Sequence, residues 1–202
     1  MSDSPLLIAG LGNPGAEYAR NRHTIGFVVL DELHSRYRFG PWRVKVQGYV
    51  CEGKIGGRKT YLLKPMTYMN DSGISVGDAA HFYKLAPDAI IVIHDEIDLA
   101  AGKFKVKTGG GDAGHNGLRS ITAAIGSDYR RVRIGVGHPG KQRVKGHVLQ
   151  NFAKADAEWL VPLVNAMVET APALADDDDA GFMSKVALIL KPPVHKPMPK
   201  DE

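Results

Sequence analysis

Residues 6–15 read Leu-Leu-Ile-Ala-Gly-Leu-Gly-Asn-Pro-Gly, a short apolar run that stops at glycine. Such a run predicts a buried strand over Leu6–Ala9. The glycines formally match G-x-G-x-x-G, a weak signal when it stands alone. In a dinucleotide-binding unit the last glycine lets a helix pack on the sheet, and an acidic residue ends a second strand ~20 residues on. Here the continuation is Ala16-Glu17-Tyr18-Ala19-Arg20-Asn21-Arg22-His23, which is polar and holds no core-facing stripe. Asp31 and Glu32 fall inside a helical pattern, where they cannot meet a ribose. The glycines therefore read as a polar turn after a buried strand, not as a nucleotide-binding unit.

Working outward, the chain alternates strand-like and helix-like segments. Ile25–Tyr37 sets Ile25, Val28, Val29, Leu33 and Tyr37 at helical spacing. Val46–Cys51 and Lys59–Leu63 flank Gly56-Gly57 and predict a hairpin. Ser72–Leu85 predicts a helix capped by Asn70 or Ser72. Ile90–Ile93 predicts a second buried strand, Lys103–Lys107 a half-buried one, Leu118–Ile125 a helix and Val132–Val136 a strand. Ala155–Leu174 and Gly181–Leu190 have helical patterns despite Pro162 and Pro172. Asp176–Asp179 is expected to be solvated surface at the positive end of the last helix, not a metal site. The alternation predicts a single α/β domain over residues 1–191. Its architecture is a layer sandwich with a mixed, largely parallel twisted sheet flanked by helices. Residues 192–202 are Pro-rich and expected to be a disordered tail. Ligands in such sheets sit beyond the carboxyl ends of the strands. The polar clusters occur there: Gly12-Asn13, His94-Asp95 and Gly109–Asn116.

Composition narrows the function classes. Cys51 is the one cysteine, so no intramolecular disulfide can form, which fits a reducing compartment. No basic leader followed by a long apolar run opens the chain, and no apolar stretch approaches the ~20 residues that span a bilayer. A cytoplasmic, membrane-free protein is the expectation. The net charge of +4 hides an asymmetry: residues 102–147 hold ten Lys/Arg against two acids, while the remainder is net −4. A basic segment on an acidic chain suits a phosphate-bearing partner, and equally suits strand edges guarded by lysine.

Residues 10–26 read GLGNPGAEYARNRHTIG, residues 64–73 KPMTYMNDSG, residues 93–96 IHDE, residues 109–117 GGGDAGHNG and residues 133–140 RIGVGHPG. In this order and spacing the blocks resemble the bacterial peptidyl-tRNA hydrolase family over roughly residues 5–150. The resemblance implies hydrolysis of the ester between peptide and tRNA, with peptidyl-tRNA as partner, no cofactor, no metal and a monomeric state. It implies that His23 is the catalytic base, Asp95 the carboxylate that orients it, and Asn13 a residue beside the scissile bond. Tyr18, Tyr68, Asn70, Gly114 and Asn116 match substrate-binding positions, and Met69 and His115 pocket-lining ones. Lys107 and Arg133 match a basic pair for the tRNA 5′ phosphate, and His138–Val148 a mobile loop beside the cleft. Two departures stand out. Asn21-Arg22-His23-Thr24 replaces the usual Thr-Arg-His-Asn, so Thr24 lacks an amide. Asp112 and Ala113 occupy the glycine-rich loop.

The residues support these roles on chemical grounds. A neutral histidine can take a proton at neutral pH, and a carboxylate on its other nitrogen fixes the tautomer. No Ser or Cys stands in a nucleophile elbow, so direct attack by water is expected. Asparagine amides can donate to a developing oxyanion. Lys103, Lys105 and Lys107 at period two share one strand face, with Phe104 and Val106 toward the core. His34 and His81 read as structural, and His94 as an alternative partner to Asp95. Two rival functions are RNA binding without catalysis and a metal hydrolase built on His23, Asp95 and His115. The joint presence of Asn13, His23, Asp95 and Asn116 disfavours the first. The absence of helical metal-ligand spacing disfavours the second.

Overall fold

The run at Leu6–Gly10 forms strand β1, buried at every residue, and it is the middle strand of a seven-stranded sheet. A computed structural model describes residues 4–191, so the expected tail at 192–202 lies outside the described residues. The other strands are β2 (Arg43–Lys45), β3 (Gly48–Ile55), β4 (Arg58–Pro65), β5 (Ile90–Glu96), β6 (Phe104–Thr108) and β7 (Arg130–Gly135). Their order is β2-β3-β4-β1-β5-β7-β6. The central strands β4, β1, β5 and β7 run parallel, while β2, β3 and β6 pair antiparallel at the two edges. The parallel centre was readable because Leu6–Ala9 of β1 and Ile90–Ile93 of β5 are unbroken apolar runs, as strands of a sheet covered on both faces are. The four parallel strands also end at one edge of the sheet, and the polar turns collect there.

Helices cover both faces. On one side α1 (Ile25–Arg36), α5 (Ala157–Ala175) and α6 (Asp179–Leu190) pack on Leu6, Ile8, Ile93 and Val132. On the other, α2 (Ser72–Phe82) and α3 (Asn116–Ile125) pack on Leu7, Ala9 and Val92. A five-residue helix, α4 (Val144–Val148), lies in the segment after β7. Pro172 sits inside α5 and cannot donate to the carbonyl four residues back. That carbonyl, of Val168, instead accepts the Tyr37 hydroxyl at 2.7 Å, so the helix tolerates its proline. Phe104 is half-buried and Val106 buried, while Lys103, Lys105 and Lys107 are exposed, as the period-two pattern required.

One local expectation needs correction, and another holds with an addition. Neither Asn70 nor Ser72 caps α2: a 3-10 turn over Met69–Asp71 runs straight into the helix, and the Ser72 hydroxyl donates back to the Met69 carbonyl at 2.8 Å. The Asp176–Asp179 run is surface, as expected, with Asp176, Asp177 and Asp178 exposed, but it also pairs with arginines. Asp177 accepts from Arg58 and pairs with Arg130, Asp179 accepts from Arg130, and Asp178 caps α6 through the Gly181 N–H. Two buried arginines at the amino-terminal edge of the sheet demand those carboxylates, because an unpaired buried charge is costly.

Candidate active site

A close backbone contact sets the site's position. Gly26, in the first turn of α1, faces Gly10 at the end of β1. A Cβ on Gly26 would lie 2.2 Å from the Leu11 nitrogen and 2.6 Å from the Ile93 carbonyl oxygen. This contact brings the 3-10 turn over Arg22–Thr24, just ahead of α1, against the end of β5. The same turn is strapped from the other side. The Arg22 N–H donates to Gln150, the Asn21 amide to the Asn151 side chain at 2.7 Å, and the Arg22 guanidinium to Asp156. Gly26→Ala is therefore expected to lose ~1–3 kcal/mol by overpacking against backbone that cannot yield, with kcat falling as His23 shifts. Unaltered thermal unfolding and kcat for this variant would remove the contact from the account.

His23 Nδ1 lies 2.8 and 3.0 Å from the two carboxylate oxygens of Asp95. His115 Nε2 lies 3.0 Å from Asp95 Oδ1, while its Nδ1 accepts the Leu118 N–H at 3.4 Å. Burial works against ionisation of Asp95, but His23 and His115 outweigh it and hold the carboxyl well below the usual range. An ionised carboxylate only accepts hydrogen bonds. His23 therefore carries its proton on Nδ1, and His115 carries its own on Nε2. Nε2 of His23 is left with its lone pair. His94 does not take the place of Asp95 as the partner of His23: its Nδ1 meets the Asp95 main-chain oxygen at 2.7 Å. Burial, followed by the neighbouring His115, pushes its pKa down to about 3, so it stays neutral. Cys51 is buried in β3, and burial pushes its thiol up to about 12, which leaves no thiolate nucleophile.

A cavity of about 730 Å³ opens over this cluster. It is lined by Asn13, Tyr18, His23, Tyr68, Met69, Asn70, Asp95, Gly114, His115 and Asn116, so ten of the twelve anticipated site residues meet there. Asn13 is buried, and its Oδ1 accepts the Met69 N–H at 2.8 Å, so its Nδ2 is the free half of the amide. Asn116 is arranged similarly, with Oδ1 accepting from Arg119 at 3.3 Å. Thr24, which lacks the amide usual at that place, is buried; its hydroxyl oxygen accepts the Asn13 N–H at 3.4 Å, tying the histidine turn to the Gly12-Asn13 turn. In the glycine-rich loop Asp112 accepts from the Gly114 N–H, and Ala113 takes a left-handed φ of 49°. Lys141 and Lys145, from the 138–148 segment, also line the cavity.

Lys107 and Arg133 lie outside the cavity wall, diagonally placed on one face of the β6–β7 pair. Lys107 is exposed and has no ion pair among the described residues. Arg133 donates to Glu96 Oε2 at 3.0 Å, and Glu96 is a buried member of the cavity wall. Glu96 escaped sequence reasoning; nothing marks it apart from its place after Asp95. The charge count also overstated the surface. Arg130 and Arg131 are buried, and Arg131 donates to the Gly111 and Gly110 carbonyls at 2.6 and 3.0 Å, holding the loop that leads to His115. Lys103, Lys105, Lys107, Lys141, Arg143 and Lys145 remain as exposed cations with no ion pair among the described residues, and Arg119, exposed as well, pairs with Asp112.

The chain is similar to known proteins in both sequence and fold. The profile of the family described as peptidyl-tRNA hydrolase matches residues 7–194. The chain is 58% identical over 186 residues to the peptidyl-tRNA hydrolase of Rhodopseudomonas palustris, covering 92% of both chains. It is 53% identical over 188 residues to that of Rhodospirillum centenum, covering 93% of this chain and 83% of the relative. A crystal structure of peptidyl-tRNA hydrolase from Acinetobacter baumannii superposes with a TM-score of 0.86 at 40% identity, over 92% of this chain and 96% of that one.

Proposed function

The chain belongs to the peptidyl-tRNA hydrolase family, and on that premise we propose how its residues divide the work of hydrolysing the ester between peptide and tRNA. The activity releases free tRNA for reuse in translation. The observation that carries the proposal is the buried Asp95 carboxylate fixed on His23 Nδ1 at 2.8 and 3.0 Å. It leaves Nε2 as the base. A water attacks the ester carbonyl while Nε2 takes its proton. The amide hydrogens on Nδ2 of Asn13 stabilise the oxyanion, as preorganised donors do. Collapse of the tetrahedral intermediate expels the terminal ribose oxygen, which recovers the proton from the His23 imidazolium. The products are a peptide carboxylate and a tRNA with a free hydroxyl.

Asn70, Asn116, Tyr18, Tyr68 and Gly114 hold the peptide and the terminal nucleotides. Amide groups suit a peptide of any sequence because they grip backbone rather than side chains. Met69 supplies the apolar floor and His115 steadies Asp95. The reading includes a monomer acting in the cytoplasm. A single buried cysteine suits a reducing compartment, and no helix among the described residues is long and apolar enough to cross a membrane.

Lys107 and Arg133 contact the tRNA 5′ phosphate. Exposed and unpaired, Lys107 gives the cleaner test. Lys107→Ala should raise KM for full-length peptidyl-tRNA about tenfold, the worth of one charge-assisted contact, and reduce the salt slope by roughly one. It should leave a minimal substrate, carrying only the terminal nucleotides, unaffected. Arg133→Ala should impair both substrates, because it also strips the buried Glu96 of its cationic partner. Equal losses on the two substrates for Lys107→Ala would end the division between phosphate grip and chemistry.

A further inference from the structure

We propose that His23, Asp95 and His115 form a metal-responsive off switch, in which a borderline divalent transition ion such as Zn²⁺ enters between the two imidazoles and the carboxylate and silences the hydrolase. One nitrogen of each ring and a carboxylate oxygen lie within 4.8 Å of one another, and the ring centroids are 4.7 Å apart. The three come from different elements: the 3-10 turn ahead of α1, the end of β5 and the residue that caps α3. Each is already held by its own support, so the donors are gathered before an ion arrives. Two imidazoles and one carboxylate are a donor set that borderline ions favour. Bond lengths to zinc of ~2.0–2.2 Å in a tetrahedron space the donors ~3.4 Å apart. The nitrogens now sit 2.8 and 3.0 Å from Asp95 Oδ1, so each contact need open only slightly. The cavity side is left for a water as fourth ligand.

The consequence follows from proton placement. At present the nitrogens that face Asp95 carry hydrogens. Coordination needs their lone pairs, so each ring's proton moves through solvent to its other nitrogen. Both rings stay neutral and no proton is gained or lost. In His23 the proton arrives on Nε2, the lone pair that would otherwise accept the proton of water. The ion therefore disarms the base without filling the substrate cleft, and kcat falls while KM holds. His115 pays for its part by turning an N–H toward the Leu118 N–H it now accepts at 3.4 Å. That opposition keeps the site weaker than a structural zinc centre, as a reversible switch requires. The kinetic half of the proposal rests on His23 being the base; the binding half does not.

The test is calorimetric titration of the metal-free full chain with ZnCl₂, with His115→Ala and His115→Gln alongside, and the d–d spectrum of Co²⁺ as a second probe. One site is expected in the wild type, weakened at least ~10–100-fold in both variants, with a tetrahedral Co²⁺ spectrum that they lose. In turnover of the minimal substrate, one equivalent of Zn²⁺ should lower kcat at constant KM, and EDTA should restore it. An absent site, or one that survives both substitutions, overturns the switch while leaving His23 as base untouched. A site that needs His115 yet leaves kcat unchanged overturns the switch and leaves the assignment of His23 to its own test, the kcat of His23→Ala.

Discussion

His23→Ala should lose kcat by ~10²–10⁴-fold, the usual cost of deleting a general base, with KM close to wild type and a lowered but still cooperative unfolding, because the buried Asp95 carboxylate keeps only His115 as partner. The side chain is mostly covered, but it sits on a cavity wall and fills no core, so truncation leaves little void. Asp95→Asn should fall in the same range for a different reason. The carboxylate now accepts from both His23 and His115. An asparagine oxygen at the Oδ1 place can still accept from both rings, but its NH2 group then takes the Oδ2 place 3.0 Å from His23 Nδ1 and sets an N–H where that ring now donates. If His23 meets that N–H with a lone pair, its proton moves to Nε2 and the base is lost although every atom is nearly in place. The pair is measured by single-turnover hydrolysis of peptidyl-tRNA, with circular dichroism as the check on folding. A His23→Ala protein that turns over near the wild-type rate would leave the mechanism without its base.

Legibility in the sequence tracked how local the physics is. β1 and the first four residues of β5 could be read because a strand buried on both faces tends to an unbroken apolar run, and the half-exposed β6 could be read because lysines alternate with Phe104 and Val106. The candidate cluster could be read because parallel strands end at one edge, which gathers Asn13, Asp95 and the loop before Asn116. Pairing between distant side chains left no trace. Arg130 and Arg131 look like two more surface cations in a basic segment, yet one is neutralised by Asp177 and Asp179 and the other grips the carbonyls of Gly110 and Gly111. Arg133 likewise looks free until Glu96 is seen opposite it. A charge tally counts residues and cannot see which of them are neutralised. The short β2 and α4 were missed because three and five residues are too few for a periodic signal.

Asn13 carries the second large effect, and its geometry allows a sharper test than truncation. Its side chain faces two ways: Oδ1 accepts the Met69 N–H at 2.8 Å, and Nδ2 is left for the cavity. Asn13→Ala removes both halves. It should lower kcat by ~10²–10³-fold, as loss of one oxyanion donor does, but it also leaves the buried Met69 N–H without its acceptor, so stability falls too. Asn13→Asp separates the two. The carboxylate keeps an oxygen for the Met69 N–H and keeps the shape of the turn, yet it offers the substrate an acceptor where a donor is needed. It also sets a negative charge beside the developing oxyanion. If Asn13 stabilises that charge, the aspartate variant should be at least as slow as the alanine variant even though it keeps an acceptor for the Met69 N–H. If Asn13 only positions Met69, the aspartate variant should recover most of the wild-type kcat. Thermal unfolding and kcat measured on both variants decide it, and recovery of activity in Asn13→Asp would remove Asn13 from the oxyanion site.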